Sequence, residues 1–373
     1  MLESRARRSH APSAPDGGLQ IVGHRVQVLV DAISDFKKFG VQHVVQLPEL
    51  VLVGDQSAGK SSLMGALAEI HLPRSAGCCT RCPAYIKTAE ADRWTCKISL
   101  QQEYSYSPTR VGRPLSPRDV TANNPFPPWR EGELFVTHFK TVYDKGELEE
   151  ALKWAQIATL NYNKSHALYV PGSETFTADE STEAKFSPNV VCIEISGPGL
   201  VPLSFYDLPG IFQSTGHKED QYLVKVIENL ATKYIKHPQA LIICALPMSA
   251  DPATSRTIKV ISDQHAEGRC IGVLTKADRL QDGQAHADFE RMLRGDEHVV
   301  GHGYYVTKLP GESVGWAYDE HYHARARIEE ENFFETERPW AAEWLEFHGR
   351  FGTSKLAHAL SQKFAAQIVQ RSV

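Results

Sequence analysis

The 373-residue chain lacks an apolar segment long enough to cross a bilayer, since its most apolar run, Ala240 to Leu246, spans seven residues where a membrane helix needs about 20. Residues 1–18 are polar, have no apolar core of a signal peptide and predict a disordered tail. An excess of positive charge is also lacking, because the formal net charge is −5. These absences predict a cytoplasmic globular protein that does not bind nucleic acid.

The cysteines do not form the even, regularly spaced set of a disulfide framework, because there are seven of them in a long chain. Cys192, Cys244 and Cys270 lie in apolar runs and are expected to be small buried side chains. A second group could be taken for part of a zinc site, but no further Cys/His pair with zinc-finger spacing follows it, so zinc is not expected. That group consists of His71, Cys78, Cys79 and Cys82.

Short apolar runs alternate with helical patterns through most of the chain. This alternation predicts an α/β fold with a doubly wound, mostly parallel sheet, in which ligands bind at the carboxyl ends of the strands. A helix is expected from near Lys60, and others over Glu219–Ile235 and Thr254–Asp263. The predicted strands are 47–53, 190–195, 203–207, 241–246, 271–275 and 304–307.

The strongest motif is residues 54–61, Gly54-Asp55-Gln56-Ser57-Ala58-Gly59-Lys60-Ser61, which fits the phosphate-loop pattern G-x-x-x-x-G-K-[ST] directly after a predicted strand. The glycines allow the backbone to wrap around phosphates, and the N–H groups of the loop supply positive potential. Lys60 is expected to neutralise the β- and γ-phosphates, and Ser61 to bind Mg²⁺. Ser62, the next residue on the helix, completes the predicted phosphate site.

Two further motifs follow predicted strands in the order that GTPases use. In Asp207-Leu208-Pro209-Gly210, the carboxylate can hold a Mg²⁺-bound water and the Gly210 N–H can contact the γ-phosphate. In Thr275-Lys276-Ala277-Asp278, the Asp278 carboxylate can accept both donors on the guanine edge while the Lys276 stem covers the base. Adenine has no matching pair of donors, so the set predicts GTP binding and disfavours an ATPase or a kinase.

Several segments resemble the dynamin superfamily of large GTPases, over roughly residues 20 to 370. They are the Gln-Ser-Ala spelling at 56–58, the switch I segment 72–83, the Asp-Leu-Pro-Gly motif at 207–210, Gly303–Lys308 and Arg350–Thr353 with the helix after it. The resemblance implies a dynamin-type G domain, an extended form of the P-loop fold. It also implies hydrolysis of GTP to GDP and phosphate.

The same resemblance implies the catalytic residues. Thr80 would bind Mg²⁺ and position the attacking water, and Gln56 and Ser57 would support hydrolysis together with Lys60. The place that a catalytic glutamine takes in small GTPases is Ile211 here, whose side chain cannot hydrogen-bond. A monovalent cation, K⁺ or Na⁺, held by Ser57 and by switch I carbonyls, would stabilise the charge that develops during hydrolysis.

The family pattern further implies that Lys308 lies against the guanine. It is not followed throughout, because Ser75 stands in place of a glycine, Leu309-Pro310 in place of polar residues, and Arg256 in place of an acid in the loop that reaches across a dimer. These departures keep an alternative open, a GTP-binding regulatory module with little or no turnover.

The chain is expected to divide into a tail at 1–18, an N-terminal bundle helix at 19–40, a G domain at 41–345 with a surface insertion at about 104–130, and a C-terminal bundle helix at 346–373. Apolar stripes at Leu19–Phe36 and Leu356–Ile368 predict that the two end helices pair. By resemblance, a stalk is expected to be absent from this sequence. The implied partners are GTP and GDP, a second G domain across the nucleotide, and peripheral contact with organelle membranes or microtubules through a full-length relative, in membrane remodelling.

Overall fold

The computed structural model describes residues 49–68, 80–107, 114–198, 200, 203–281, 284–311, 316 and 321–371. The predicted tail, the N-terminal bundle helix and residues 72–79 of switch I lie outside these residues, and so does the pairing of the two end helices.

One nine-stranded mixed sheet organises the described residues, with the strand order β4-β3-β5-β2-β6-β1-β7-β8-β9. Five of its strand pairings are parallel and three are antiparallel, the latter between β2 and β6, β3 and β4, and β3 and β5. The strands are β1 (Leu50–Gly54), β2 (Ala84–Glu90), β3 (Thr95–Tyr106), β4 (Trp129–Val142), β5 (Val190–Gly197), β6 (Leu203–Asp207), β7 (Leu241–Pro247), β8 (Cys270–Thr275) and β9 (Tyr304–Val306).

Helices cover both faces of this sheet. The seven α-helices are α1 (Lys60–Ala68), α2 (Leu148–Leu160), α3 (Tyr222–Ile235), α4 (Arg256–Asp263), α5 (Gln284–Arg294), α6 (Tyr322–Thr336) and α7 (Thr353–Arg371) among the residues described. β1 shows why both faces must be covered, because all five of its residues are buried. Leu50 and Leu52 belong to a core shared with α1, α2 and α7, whereas Val51 and Val53 belong to the opposite core with α3, α4 and α5. The predicted doubly wound α/β class is confirmed.

All six predicted strands are present with shifts of a few residues at their ends. The strands that sequence patterning did not predict, β2, β3 and β4, extend the sheet on the side of β6. β4 is an edge strand whose central residues are exposed, including Leu134, Phe135 and Val136 at about 60%. Such strands lack the continuous apolar run of a strand that is buried on both faces.

The predicted surface insertion at about 104–130 needs correction. Its two ends are strand residues, in β3 and in β4. Inside it, Val120 and Phe126 are buried in the core on the α3 side, next to Trp129. The Trp129 indole N–H donates to the carbonyl of Phe186 at 3.0 Å. The segment is therefore anchored in the domain by apolar side chains that its Pro- and Ser-rich composition conceals.

The C-terminal helix begins at Thr353, seven residues after the predicted start, because Leu345–Arg350 forms a 3₁₀ helix. Before α7 begins, the Gly352 N–H donates to the carbonyl of Val306 at 2.8 Å, and Phe351 forms a parallel bridge with Val306. The buried residues of α7 pack with α1 in the core of the domain itself. The helix is thus joined to the end of β9. None of the helices in the described part of the chain combines the length and the hydropathy that a membrane span requires.

Candidate functional site

The phosphate loop follows β1 and is held in shape by its own lysine. Lys60 is 7% exposed, and its ammonium donates to the carbonyls of Gly54 at 3.1 Å and Asp55 at 3.2 Å. Gly59 adopts φ +84°, which favours glycine, and Ser57 also has a positive φ of 63°. The loop therefore has the curled backbone that turns successive N–H groups towards a phosphate.

The second motif lies directly on the phosphate loop. The Gln56 N–H donates to the carbonyl of Ile211 at 2.7 Å, and the Ile211 N–H donates to the carbonyl of Gly54 at 3.1 Å. A Cβ on Gly210 would come within 2.8 Å of the Gln56 Cα and 3.0 Å of the Lys60 Nζ. Only glycine fits this approach, so the two predicted phosphate-sensing segments form one site.

Oxygen atoms suited to a divalent cation meet at the start of α1. Ser61 Oγ donates to Asp207 Oδ2 at 3.1 Å. The other carboxylate oxygen, Asp207 Oδ1, is buried and has no hydrogen-bond partner among the described residues. Burial raises the pKa of Asp207, although the Lys60 cation and the Ser61 hydroxyl oppose the shift. A bound cation would compensate this buried, unpartnered oxygen.

A cavity of about 60 Å³ opens beside these oxygens, lined by Ser61, Asp207 and Thr80 and by apolar side chains of β2, β5 and α2. The hydroxyls and the carboxylate are the hard oxygen ligands that Mg²⁺ prefers. The residues predicted for Mg²⁺, Ser61 and Thr80, are thereby brought together, and the residues present fit this ion.

The third motif is attached to the phosphate loop from the opposite side. Thr275 Oγ1 donates to the carbonyl of Ala58 at 2.6 Å, and the Lys276 ammonium donates to the carbonyl of Ser57 at 2.6 Å. Lys276 adopts φ +58°, a left-handed turn after β8. Asp278 lies in the following 3₁₀ turn and is exposed. The carboxylate that is expected to bind guanine is thus held next to the phosphate loop and open to solvent.

Lys308, which is expected to lie against the guanine, contacts α6 in this structure. Its ammonium forms an ion pair with Glu329 of α6 and lies 5.9 Å from the Phe333 ring. Its backbone N–H donates to Glu330 Oε1 at 2.8 Å. The side chain is therefore engaged by α6, because two carboxylates of that helix face the end of β9. Contact of Lys308 with the guanine stays a prediction.

A sequence profile described as that of the dynamin family matches residues 50–277 of the chain. This match begins at β1 and includes the phosphate loop, Asp207–Gly210 and the first three residues of the Thr275–Asp278 turn. The chain belongs to the dynamin family of GTPases.

Curated relatives of this dynamin-family chain are interferon-induced GTP-binding Mx proteins. The Mx protein of Ctenopharyngodon idella is 24% identical over 82% of this chain and 43% of its own length. Mx1 of Equus caballus is 26% identical over 92% of this chain and 44% of its own length. Human Mx2 is 25% identical over 77% of this chain and 33% of its own length. The chain therefore spans less than half the length of these relatives.

The remaining predicted residues of the dynamin-family site lie around the phosphate loop. Gln56 and Ser57 are exposed, whereas Ser62 is partly buried on α1. Ser75 and the carbonyls of residues 72–79, which would complete a monovalent-cation site, lie outside the described residues. In the candidate zinc group, Cys82 is buried and the other three residues also lie outside them.

One contact of the phosphate loop was not predicted from the sequence. Asp55 Oδ1 accepts from the N–H of Thr257 at 3.0 Å and from its hydroxyl at 2.6 Å. Thr257 is fully buried at the start of α4. A threonine in the first turn of a predicted helix carries no signal of such a contact. The neighbouring Arg256, noted as a departure from the family pattern, pairs with Glu228 of α3 at 2.8 Å.

The contacts of Glu330 were not predicted from the sequence either. It lies in a run of three acidic residues, 329–331, which is typical of a solvated helix face. In the structure it is 2% exposed and accepts backbone N–H groups from two other segments. Only the packing of α6 on the end of β9 distinguishes it from its neighbours.

Proposed function

We propose that this dynamin-family domain binds GTP with Mg²⁺ and hydrolyses it to GDP and phosphate. The observation that carries this proposal is the pair of hydrogen bonds from Thr275 and Lys276 to the phosphate loop. These bonds join a turn suited to guanine and a loop suited to phosphates into one site. The Mx relatives, whose names describe them as GTP-binding, support the same conclusion.

In this proposal the phosphate loop and its neighbours bind the phosphates and Mg²⁺. The Lys60 ammonium neutralises the β- and γ-phosphates, and the phosphate-loop N–H groups stabilise charge on the phosphate oxygens. Ser61 and Thr80 would hold Mg²⁺, and Asp207 would orient water beside it. When bound, Mg²⁺ neutralises charge on the triphosphate.

Positioning of the attacking water needs groups other than the residue after Gly210. That residue, Ile211, is 1% exposed and has an apolar side chain. We assign this role to Thr80 and Gln56, and we assign to Ser57 the binding of K⁺ or Na⁺ next to the phosphates. The exposure of Gln56 and Ser57 at the mouth of the loop leaves them accessible to nucleotide and ions.

A regulatory module with little turnover is the second candidate. The pairing of Arg256 with Glu228 in the same chain favours it, because a side chain committed to α3 is less available to a second G domain. Phosphate release at saturating GTP distinguishes the two candidates. An enzyme gives continuous turnover, whereas a regulatory module gives nucleotide binding with phosphate release close to the uncatalysed level.

The test of the first candidate compares GTP and ATP in one competition titration with Mg²⁺ present. We expect GTP to displace a fluorescent GDP and ATP to fail at the same concentration, followed by release of phosphate from GTP. Lys60→Ala, which removes the phosphate-neutralising cation, serves as the negative control and should lose binding. Equal displacement by ATP would contradict guanine selectivity, and turnover that persists in Lys60→Ala would point to a contaminating enzyme.

For the whole protein we propose membrane or organelle remodelling in the cytoplasm, with peripheral contact to membranes or microtubules. G domains would pair across the nucleotide. Family membership supports this role. Co-sedimentation with anionic and neutral vesicles and with microtubules, with and without a GTP analogue, tests it on the whole protein. Absence of the protein from every pellet would contradict the role.

A further inference from the structure

Glu330 joins two segments of the chain that are far apart in sequence. One carboxylate oxygen, Oε1, accepts the backbone N–H of Lys308 at 2.8 Å, and the other, Oε2, accepts the backbone N–H of Thr353 at 2.7 Å. Lys308 lies two residues after the end of β9, and Thr353 begins α7. We name the carboxylate with these two N–H donors the Glu330 clamp. It fastens a loop and a helix to α6.

The clamp is connected to the turn that is expected to bind guanine. Thr307, the residue before Lys308, accepts the N–H of Ala277 at 3.3 Å. Ala277 directly precedes Asp278, the carboxylate assigned to the guanine edge. Thr307 is fully buried and Ala277 is 2% exposed, so both lie in packed surroundings. A shift of the Lys308 backbone would therefore move the Asp278 turn, because packed interiors transmit displacement.

We propose that Glu330 is a positioning residue for the guanine nucleotide, acting through the Lys308 backbone on the Asp278 turn when its carboxylate is ionised. The proposal rests on the GTP binding proposed above. An ionised carboxylate accepts strongly at both oxygens, whereas a protonated one presents an O–H group where an N–H donor lies. Protonation thus weakens one side of the clamp.

The clamp can change its protonation near neutral pH. Burial raises the pKa of Glu330 to about 7, and the Thr353 and Lys308 N–H donors and the Lys308 cation lower it by less. Lys308 is itself paired with Glu329. Arg327, one turn earlier on α6, is buried, and Lys355 on α7 is exposed. Linkage then requires that nucleotide binding and ionisation of Glu330 favour each other.

The experiment measures the affinity for fluorescent GDP from about pH 6 to about pH 8, and the protons released on binding. For the wild type we expect affinity to rise about fivefold to tenfold with pH, with release of a fraction of a proton near pH 7. The side chain in Glu330→Gln is neutral at every pH. This variant should bind fluorescent GDP weakly, and its affinity should lack the rise with pH that comes from Glu330. Titration of the phosphates is common to both proteins and cancels in the comparison. Glu331→Gln, at an exposed neighbour, should behave as the wild type.

A pH profile and proton release that are the same in the wild type and in Glu330→Gln would overturn the proposal. If Glu330→Gln fails to fold, amide hydrogen exchange of the wild type decides instead. The amides of Lys308 and Thr353 should gain protection through about pH 7 after correction for intrinsic base catalysis, and unchanged protection would overturn the clamp. A wild type that binds no guanine nucleotide at any pH contradicts the proposed function, while the exchange measurement still tests the clamp.

Discussion

Selectivity for guanine depends on one exposed carboxylate at the end of β8. Asp278→Asn replaces one acceptor by a donor, so a guanine donor is left facing an amide donor. We therefore expect the free energy of GTP binding to weaken by about 2–4 kcal/mol. Xanthine presents an acceptor at that place and should bind better to the variant. Competition of GTP and xanthosine triphosphate for each protein checks this. Asp296→Asn, remote from the motif in sequence, is the control, and an unchanged preference in Asp278→Asn would contradict the assignment.

We expect the Ser57 hydroxyl to be needed for hydrolysis but not for nucleotide binding. Its carbonyl accepts from Lys276, and Ser57→Ala keeps that carbonyl. We therefore expect nucleotide affinity to be nearly unchanged and kcat to fall by about tenfold or more, because the hydroxyl assigned to the monovalent cation is lost. Phosphate release in K⁺, Na⁺ and a bulky organic cation at constant ionic strength measures this. Ser262→Ala, at an exposed serine near the end of α4, is the matched control. Wild-type turnover that ignores the cation would contradict the role of Ser57.

At the scale of elements, the hydrogen bonds between Asp55 and Thr257 join the phosphate loop to α4. Thr257→Val keeps the shape of a fully buried side chain and removes the hydroxyl that donates to Asp55 at 2.6 Å. We expect a loss of about 1.5–3 kcal/mol in unfolding free energy, the cost of one hydrogen bond to a charged group. Urea unfolding measures it. Thr254→Val, whose exposed hydroxyl bonds to the Asp251 carbonyl, should change stability by about 0.5 kcal/mol or less. Equal effects would show that the Asp55 contact adds no stability.

The strands differ in how well the sequence predicts them. Strands buried on both faces, such as β1 and β7, are continuous apolar runs and were predicted. β4 was not, because its exposed centre mixes Glu, Thr and His with apolar residues, and a sheet edge needs no regular alternation. The phosphate loop and the Thr275–Asp278 turn follow local patterns. Thr257 and Glu330 do not, because their partners lie 202 and 22 or 23 residues away in the chain.

At the scale of the whole molecule, Glu330 makes the free energy of unfolding fall as pH rises. Burial raises its pKa to about 7 in the folded protein, above the ordinary glutamate value of 4.5. Folding therefore takes up a proton between these values. The contribution of protonated Glu330 to stability is fully present below the pKa of the unfolded chain. It is lost as pH rises through the pKa of the folded protein.

The shift corresponds to about 3 kcal/mol of unfolding free energy, since one pKa unit is about 1.4 kcal/mol. We expect the stability of the wild type relative to Glu330→Gln to fall by about this amount from pH 4.5 to pH 7 and then to level off. Urea unfolding of both proteins across this range measures the difference, in which the other titrating groups cancel. Glu331→Gln should track the wild type. A difference that does not vary with pH would mean that Glu330 keeps its ordinary pKa and that burial on α6 is balanced by its two N–H donors. A difference that falls as predicted would mean that the ionised clamp forms at a cost to the stability of the whole domain, because burial makes ionisation of Glu330 more costly in the folded protein than in the unfolded chain.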